Sequence, residues 1–383
     1  GRLESLEAKP GPGCLPVPKH SYKYDGLGRL AQASAGDDIA RRRYDSLGRL
    51  RRDELAGRIF EADIDDLQRA SRLRYPDGRE EMRQLDALGR TTSITLHKPG
   101  TSAVGPTSGA PGTVLCELSY LGPDRVHTLQ RENGIATHHT YDDEGRLTDL
   151  EHQDSDTLEV LARSSRRFDR ADRCRVQQTT SPPGSRLHNF DAKGRLDEVR
   201  SGFPLALAAA QTQADHDAAI AAAEIAAENA TTVQLWTLDG ADTRVDETRT
   251  VGNVELAIDY DQDLHHATTR VGVDILGYDG DGRRTADSQR HVVHDALGRV
   301  VRIEDADHNI LVTHHHDPLG RWSGGLRDGQ STRRFHFGEH PLQEEDEAAN
   351  VLRQRTHDPA GLAELLATTA SARHYLHEDP AAN

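Results

Sequence analysis

The chain contains 21 histidines, and His314, His315 and His316 stand in a row. His138–His139 and His265–His266 are two further neighbouring sets. Neutral imidazole is a common metal ligand, so metal binding is the first chemistry these residues raise. Adjacent side chains on a strand point to opposite faces. Neighbouring histidines on a strand therefore do not converge on one ion. Glu344, Glu345, Asp346 and Glu347 raise acid–base or calcium chemistry, but they lie in QEEDEAAN, which reads as a solvated loop between strands. Cys14, Cys116 and Cys174 are odd in number and widely spaced. They form neither a disulfide framework nor a zinc pattern, and are expected as unpaired thiols. GDG at 280–282 belongs to a turn without strand–helix context, so it is no nucleotide fingerprint. There is no nucleophile elbow and no His-Glu-x-x-His, and no local pattern selects a Ser/His/Asp set. No catalytic, cofactor-binding or metal-binding residue is assigned, and the chain is expected to be a non-enzyme without a cofactor.

The elements that hold these histidines are set by a repeat. YDGLGRL at 24–30 fixes Tyr24, Asp25, Gly28 and Arg29. YDSLGRL at 44–50 fixes Tyr44, Asp45, Gly48 and Arg49. YDDEGRL carries Tyr141, Asp142, Gly145 and Arg146, and FDAKGRL carries Phe190, Asp191, Gly194 and Arg195. HDALGRV contributes Asp295, Gly298 and Arg299, and HDPLGRW contributes Asp317, Gly320 and Arg321. LDALGRT (85–91), YDGDGRR (278–284) and HDPAGLA (357–363) are further copies. IDDLQRA (64–70) and FDRADRC (168–174) have lost the glycine, and YPDGR (75–79) reads as a related turn in another frame. Copies starting at 24, 44, 64 and 85 establish a period of about twenty residues.

Asp-x-x-Gly marks a type I turn, with Asp at its first position and Gly at its fourth. Gly takes the left-handed conformation that closes a three-residue hairpin with a bulge. Pro318 and Pro359 fall at the second turn position, where proline is favoured. The frame sets Tyr24 opposite Leu30 and Asp25 opposite Arg29. The aromatic and the leucine then share one face, and the Asp–Arg pair takes the other. Thr91 and Arg284 fit the seventh position poorly and are expected to end the apolar ladder. His294, His316 and His357 occupy the aromatic position. An isolated hairpin is marginal at best, whereas stacked copies cover one another.

Composition agrees with a thin repetitive sheet. Only 35% of residues are hydrophobic and 4% aromatic, and mean hydropathy is −0.72. The net charge of −16 opposes a role on nucleic acid. No apolar run approaches the ~20 residues of a membrane span.

The motif and its period resemble the RHS/YD-repeat family, which includes bacterial Rhs effectors, the C components of insecticidal toxin complexes, wall-associated proteins and teneurins. The resemblance covers nearly the whole chain apart from two insertions. HYLHEDPAAN (374–383) is similar to the start of a further family segment, through Tyr375, Leu376, His377 and Asp379. The resemblance implies an all-β fold: hairpins forming a spiralling sheet, part of a hollow shell that encloses a C-terminal toxic domain. It implies a secreted or delivered bacterial effector, made in the cytoplasm before export. Its partners would be the rest of its own parent protein and a secretion-machine or toxin-complex component. The chain opens on GRL, half a motif, so a fragment of a larger protein is expected. The other reading is a surface protein that presents its loops for adhesion, to sugars or receptors.

Two insertions interrupt the period. Residues 98–113 are rich in Pro, Gly, Ser and Thr and read as a surface loop. Residues 205–230 are alanine-rich and helix-forming, with Pro204 suited to the entry and Asn229 or Thr231–Thr232 to the exit. The helix either decorates the shell or docks a cargo or partner. VQLWTLDG (233–240) and the stretch 245–261 read as returning strands. The expected organisation is repeat sheet over 1–200, helical insertion over 201–235, and continuing sheet over 236–383.

Overall fold

Each repeat copy reverses the chain, and the residues between copies are long enough for one strand out and one back. The computed structural model describes residues 2–64, 70–98, 112–263, 267–357, 364–369 and 373–375. The copy at 64–70, most of the loop at 98–113, His265–His266, the turn after His357 and residues 376–383 lie largely outside the described residues. The protein is an antiparallel meander of short strands with one α-helix, as the spacing of the turns requires. Two compact units are present. One contains Gly1–Leu115 with Gly277–Glu378, and the other centres on Cys116–Leu276.

In a meander, successive turns fall on alternate rims. The aromatic–Asp turns share one rim. The opposite rim is closed by other connections, such as the two-residue turn at Ala56–Gly57 between Leu55 and Arg58. YPDGR lies on this opposite rim, yet it has the frame of the main repeat. Tyr75 stands where Asp would stand: its N–H donates to the Arg79 carbonyl at 2.9 Å, and Gly78 N–H donates back to its carbonyl at 3.0 Å. The sequence reading in another frame is corrected, because the backbone closes this turn without the aspartate. Backbone pairing continues at Thr91 and Arg284. Thr91 pairs with Leu85 and Arg284 with Tyr278 in the same register as the other copies.

In the first unit, strands of one sheet pack against strands of a second sheet. A small core joins Ala40, Leu55, Phe60 and Tyr75 to Phe335 and Leu342. Around it the contact is polar. Arg58 grips Glu345 through two hydrogen bonds of 2.6 and 2.8 Å. Tyr75 donates to the Arg355 carbonyl at 2.9 Å, and the Thr356 hydroxyl donates to Glu81 at 3.0 Å. Glu345, Glu81 and Gln343 are all buried. The low hydropathy thus has a structural reason: charged and amide side chains fill space that aliphatic groups fill elsewhere.

Glu344–Asp346 therefore needs correction. It is the end of strand His340–Asp346, not a solvated loop. Glu344 pairs with Arg334 and Arg355, and Glu345 with Arg58. Arginines on facing strands neutralise the run.

The helix is shorter than expected. It spans Gln213–Ala226 (α1), followed by a 3-10 turn at Ala227–Asn229. Pro204 does not start it. Thr212 does, in a capping box with Asp215, which satisfies first-turn N–H groups. Residues 203–211 instead cross the sheet as an extended strap. Ser201 pairs directly with Thr232, so the insertion is an excursion at an ordinary hairpin connection.

Candidate functional site: the turn lattice and its strap

The turn geometry repeats from copy to copy. Asp25 Oδ1 accepts N–H bonds from Leu27 at 3.0 Å and Arg29 at 2.9 Å, while Oδ2 accepts Arg29 Nε at 2.7 Å. Gly28 N–H donates to the Asp25 carbonyl at 2.8 Å with φ of 82°. The same Asp–Arg pairing recurs at Asp45–Arg49, Asp142–Arg146, Asp191–Arg195, Asp295–Arg299 and Asp317–Arg321. The donors hold the carboxyls of Asp25, Asp45, Asp142, Asp191 and Asp295 low. At Asp25 and Asp191 the backbone N–H of the arginine leads. At Asp45, Asp142 and Asp295 desolvation pushes upward, and the arginine and backbone bonds outweigh it.

Arginine also ties several copies to the next. Arg29 Nη1 donates to the Asp45 carbonyl at 2.7 Å, and its guanidinium lies 4.9 Å from the Tyr44 ring centroid. Tyr44 returns a bond from its hydroxyl to the Leu30 carbonyl at 3.2 Å. Arg146 reaches the Phe168 ring and Asp172, and Arg195 reaches the Asp239 carbonyl and Asp242. Arg195 makes this link across the insertion. Arg2 and Leu3 occupy the sixth and seventh positions of the same scheme. Arg2 lies 5.7 Å from the Tyr24 ring, and Tyr24 donates to the Leu3 carbonyl at 2.7 Å.

Several turns close without the glycine, and those around Asp242, His308 and Ala349 were not visible as copies. Asp172, Asp242, His308 and Ala349 adopt positive φ where glycine is usual. Asn309 and Asn350 take the arginine position, donating to Asp305 at 3.0 Å and Asp346 at 2.9 Å. The recoverable signal was Asp-x-x-x-Asn in DADHN and DEAAN.

The strap and α1 cover one sheet face of the second unit. Val176 and Leu187 pack with Phe203, Ile220, Ala223 and Ala227. Fully buried Arg167 donates to the carbonyls of Thr148 and Ala208 and pairs with Asp149. Asp143 N–H donates to Gln211 at 2.9 Å, and Gln178 bonds the strap at Leu205 and Leu207. His216 is buried between a repeat turn and the next strand. Sequence reasoning missed His216, although Thr212-x-x-Asp215 marked the true helix start.

Beside α1 lies a cleft of about 490 Å³ whose lining includes Arg170, Arg173, Arg175, Asp217 and Glu224. Its arginines are engaged internally, with Asp217, Asp169 and Glu224. Among the described residues, no group of three or more His, Cys, Asp or Glu gathers in position to hold a metal ion. Cys14, Cys116 and Cys174 are free thiols. No helix among the described residues is long and apolar enough to cross a membrane.

No family model matches the chain, and no curated protein matches it in sequence. Solved structures do match in fold. A crystal structure of TcdB2–TccC3–Cdc42 aligns over 96% of this chain with a TM-score of 0.53 and 10% identity. The Photorhabdus luminescens Tc holotoxin pore, carrying a TccC3 point mutation, aligns over 88% with a TM-score of 0.53 and 10% identity. The chain spans 23% and 21% of those chains. It therefore shares the fold of one part of these chains, antiparallel β-hairpins with, among the described residues, one α-helix.

Proposed function

We propose that the chain is a segment of an encapsulating wall in a toxin of the Tc or Rhs type, and that its role is containment rather than catalysis. The observation that carries this reading is the lattice of Asp, Arg and aromatic residues that stitches consecutive hairpins along one rim. Such a lattice holds a sheet of any length together without a thick apolar core, which is what a wall needs. The fold shared with the Tc assemblies supports the same role. On this reading the wall, with further repeats, surrounds a cargo domain and keeps it from the producing cell and from proteases. A secretion machine or another toxin-complex component then delivers it.

The test is protection. The polypeptide carrying this wall and its cargo is treated with protease, intact and after mild urea. The cargo is expected to resist digestion when intact and to be cut once the wall opens. Equal digestion in both states contradicts containment.

A further inference from the structure

In the second unit, strand Val254–Gln262 pairs along its first half with strand Arg244–Val251 on one side only. On the other side, strand Thr268–Val271 pairs with Tyr260, Asp261 and Gln262 alone. The hairpin that starts the strand joins Val251 to Val254 around Gly252 and Asn253. The closing pair of a two-residue turn exchanges its hydrogen bonds inward. Val254, Leu256 and Ile258 thus point their backbone groups to the paired strand, and Glu255, Ala257 and Asp259 point theirs outward. Asp259 spends its carbonyl on Gly272 N–H at 2.8 Å. Among the described residues of this unit, Glu255 and Ala257 keep outward backbone groups without a strand partner.

This edge lacks the usual protection. Residues 254–259 read VELAID, without proline or lysine, and the pairing shows no bulge. Natural sheets blunt long apolar edges with such devices. Here the two faces of the edge differ: apolar residues flanked by Arg249 on one, carboxylates on the other. Val254 is 70% exposed and Leu256 55% exposed, and Val251 lies beside them. The other face carries Glu255 and Asp259, with Asp246 directly opposite Asp259. Like charges facing each other across a ladder oppose pairing. Of the cations beside the edge, Arg270 is paired with Asp261 at 2.6 Å and also attracts Asp259, and exposed Arg249 stands opposite Leu256 on the apolar face.

We infer that this edge accepts an extended basic segment of a partner polypeptide as an added strand. The partner contributes backbone hydrogen bonds to Glu255 and Ala257, apolar residues over Val254 and Leu256, and alternate lysines or arginines toward Glu255, Asp259 and Asp246. A second copy of this chain fits poorly, because pairing two such edges brings their carboxylates together on one face. Strand addition of this kind takes affinity from the backbone and specificity from alternate side chains.

The test uses the full chain and a fluorescent peptide of valine alternating with lysine, with a glutamate-for-lysine peptide as control. The basic peptide is expected to bind, with affinity falling as salt rises, and the acidic one not to bind. Ala257→Pro removes an outward N–H while sparing the inward ladder, and is expected to weaken binding at least about tenfold with an unchanged melting temperature. Leu256→Lys, a surface change, serves if the proline variant fails to fold. Absence of binding, equal binding of both peptides, or full binding to the two variants overturns the proposal. So does dimerisation of the chain alone that Ala257→Pro abolishes, which assigns the edge to a second copy.

Discussion

His216 Nε2 lies 2.9 Å from Asp142 Oδ2, and both side chains are fully buried. The other ring nitrogen accepts Phe168 N–H at 3.2 Å, so Nε2 carries the proton and donates to the carboxylate. One imidazole from the insertion therefore bonds a repeat aspartate and the backbone that leads into the next turn. The helix is part of the lattice, not an ornament beside it.

Replacing His216 with Ala is expected to destabilise the protein by about 1–3 kcal/mol, because it leaves a buried N–H unsatisfied and empties space beneath α1. Urea unfolding measures the loss. Protease cleavage within 205–230 is expected to quicken more than cleavage elsewhere, since the strap loses its anchor. Uniform quickening, or none, contradicts a local anchoring role.

The hairpins were legible in the sequence because each needs only local chemistry. Asp25, Gly28 and Arg29 close their turn with groups within four residues of one another. The links between copies were not legible. Arg29 bonds a carbonyl sixteen residues away, and carbonyls leave no trace in residue type. Glu345 looked solvated because its partner Arg58 is distant by 287 residues. The helix start was misplaced for another reason: alanine propensity extends to residue 205, while the strap over 203–211 is held extended by tertiary bonds to Arg167 and Gln178.

Within the first unit, Arg321 Nη1 donates to Asp53 at 2.8 Å while its Nε holds Asp317 at 2.7 Å. The Arg321 and Asp53 side chains are 5% and 1% exposed. Replacing Arg321 with Met leaves buried Asp317 without its arginine and leaves Asp53 to Arg42 and the Gly338 N–H, and is expected to cost about 3–5 kcal/mol. Adding Asp317→Asn should recover part of that loss, because the charge left unpaired disappears. Urea unfolding of the two single variants and the double variant checks the coupling. Strictly additive losses show that the two residues do not depend on each other.

Turn conformation supplies a paired test of opposite sign. Gly48 has φ of 85° with nothing within 4 Å of an added Cβ, so Gly48→Ala isolates backbone cost. A loss of about 1–2 kcal/mol is expected. Ala349 has φ of 65° without being glycine. Ala349→Gly is expected to stabilise by about 0.5–1 kcal/mol, once glycine's greater unfolded-state freedom is subtracted. Thermal melting of both variants decides, and a loss at both sites refutes the shared geometry.

Acid is expected to weaken the fold in two stages. Burial pushes His139 and His336 down to about 4 from the ordinary value of 6.5. At His336 the cations Arg321, Arg334 and Arg355 add to that push, and Asp317 opposes it. Between those values the unfolded chain binds protons that the folded chain refuses, so stability falls as pH drops from 6.5 toward 4. The turn aspartates act lower. Their folded values lie below the usual carboxylate range, so their contribution is complete above about pH 4. It is lost only as pH falls through the depressed values. Urea midpoints measured from about pH 8 to pH 3 should show a gentle decline followed by a steep one. His336→Gln is expected to flatten the upper stage and leave the lower stage intact, because it removes one refused proton and no turn carboxylate. If the upper stage persists in His139→Gln and His336→Gln together, other groups set the pH response.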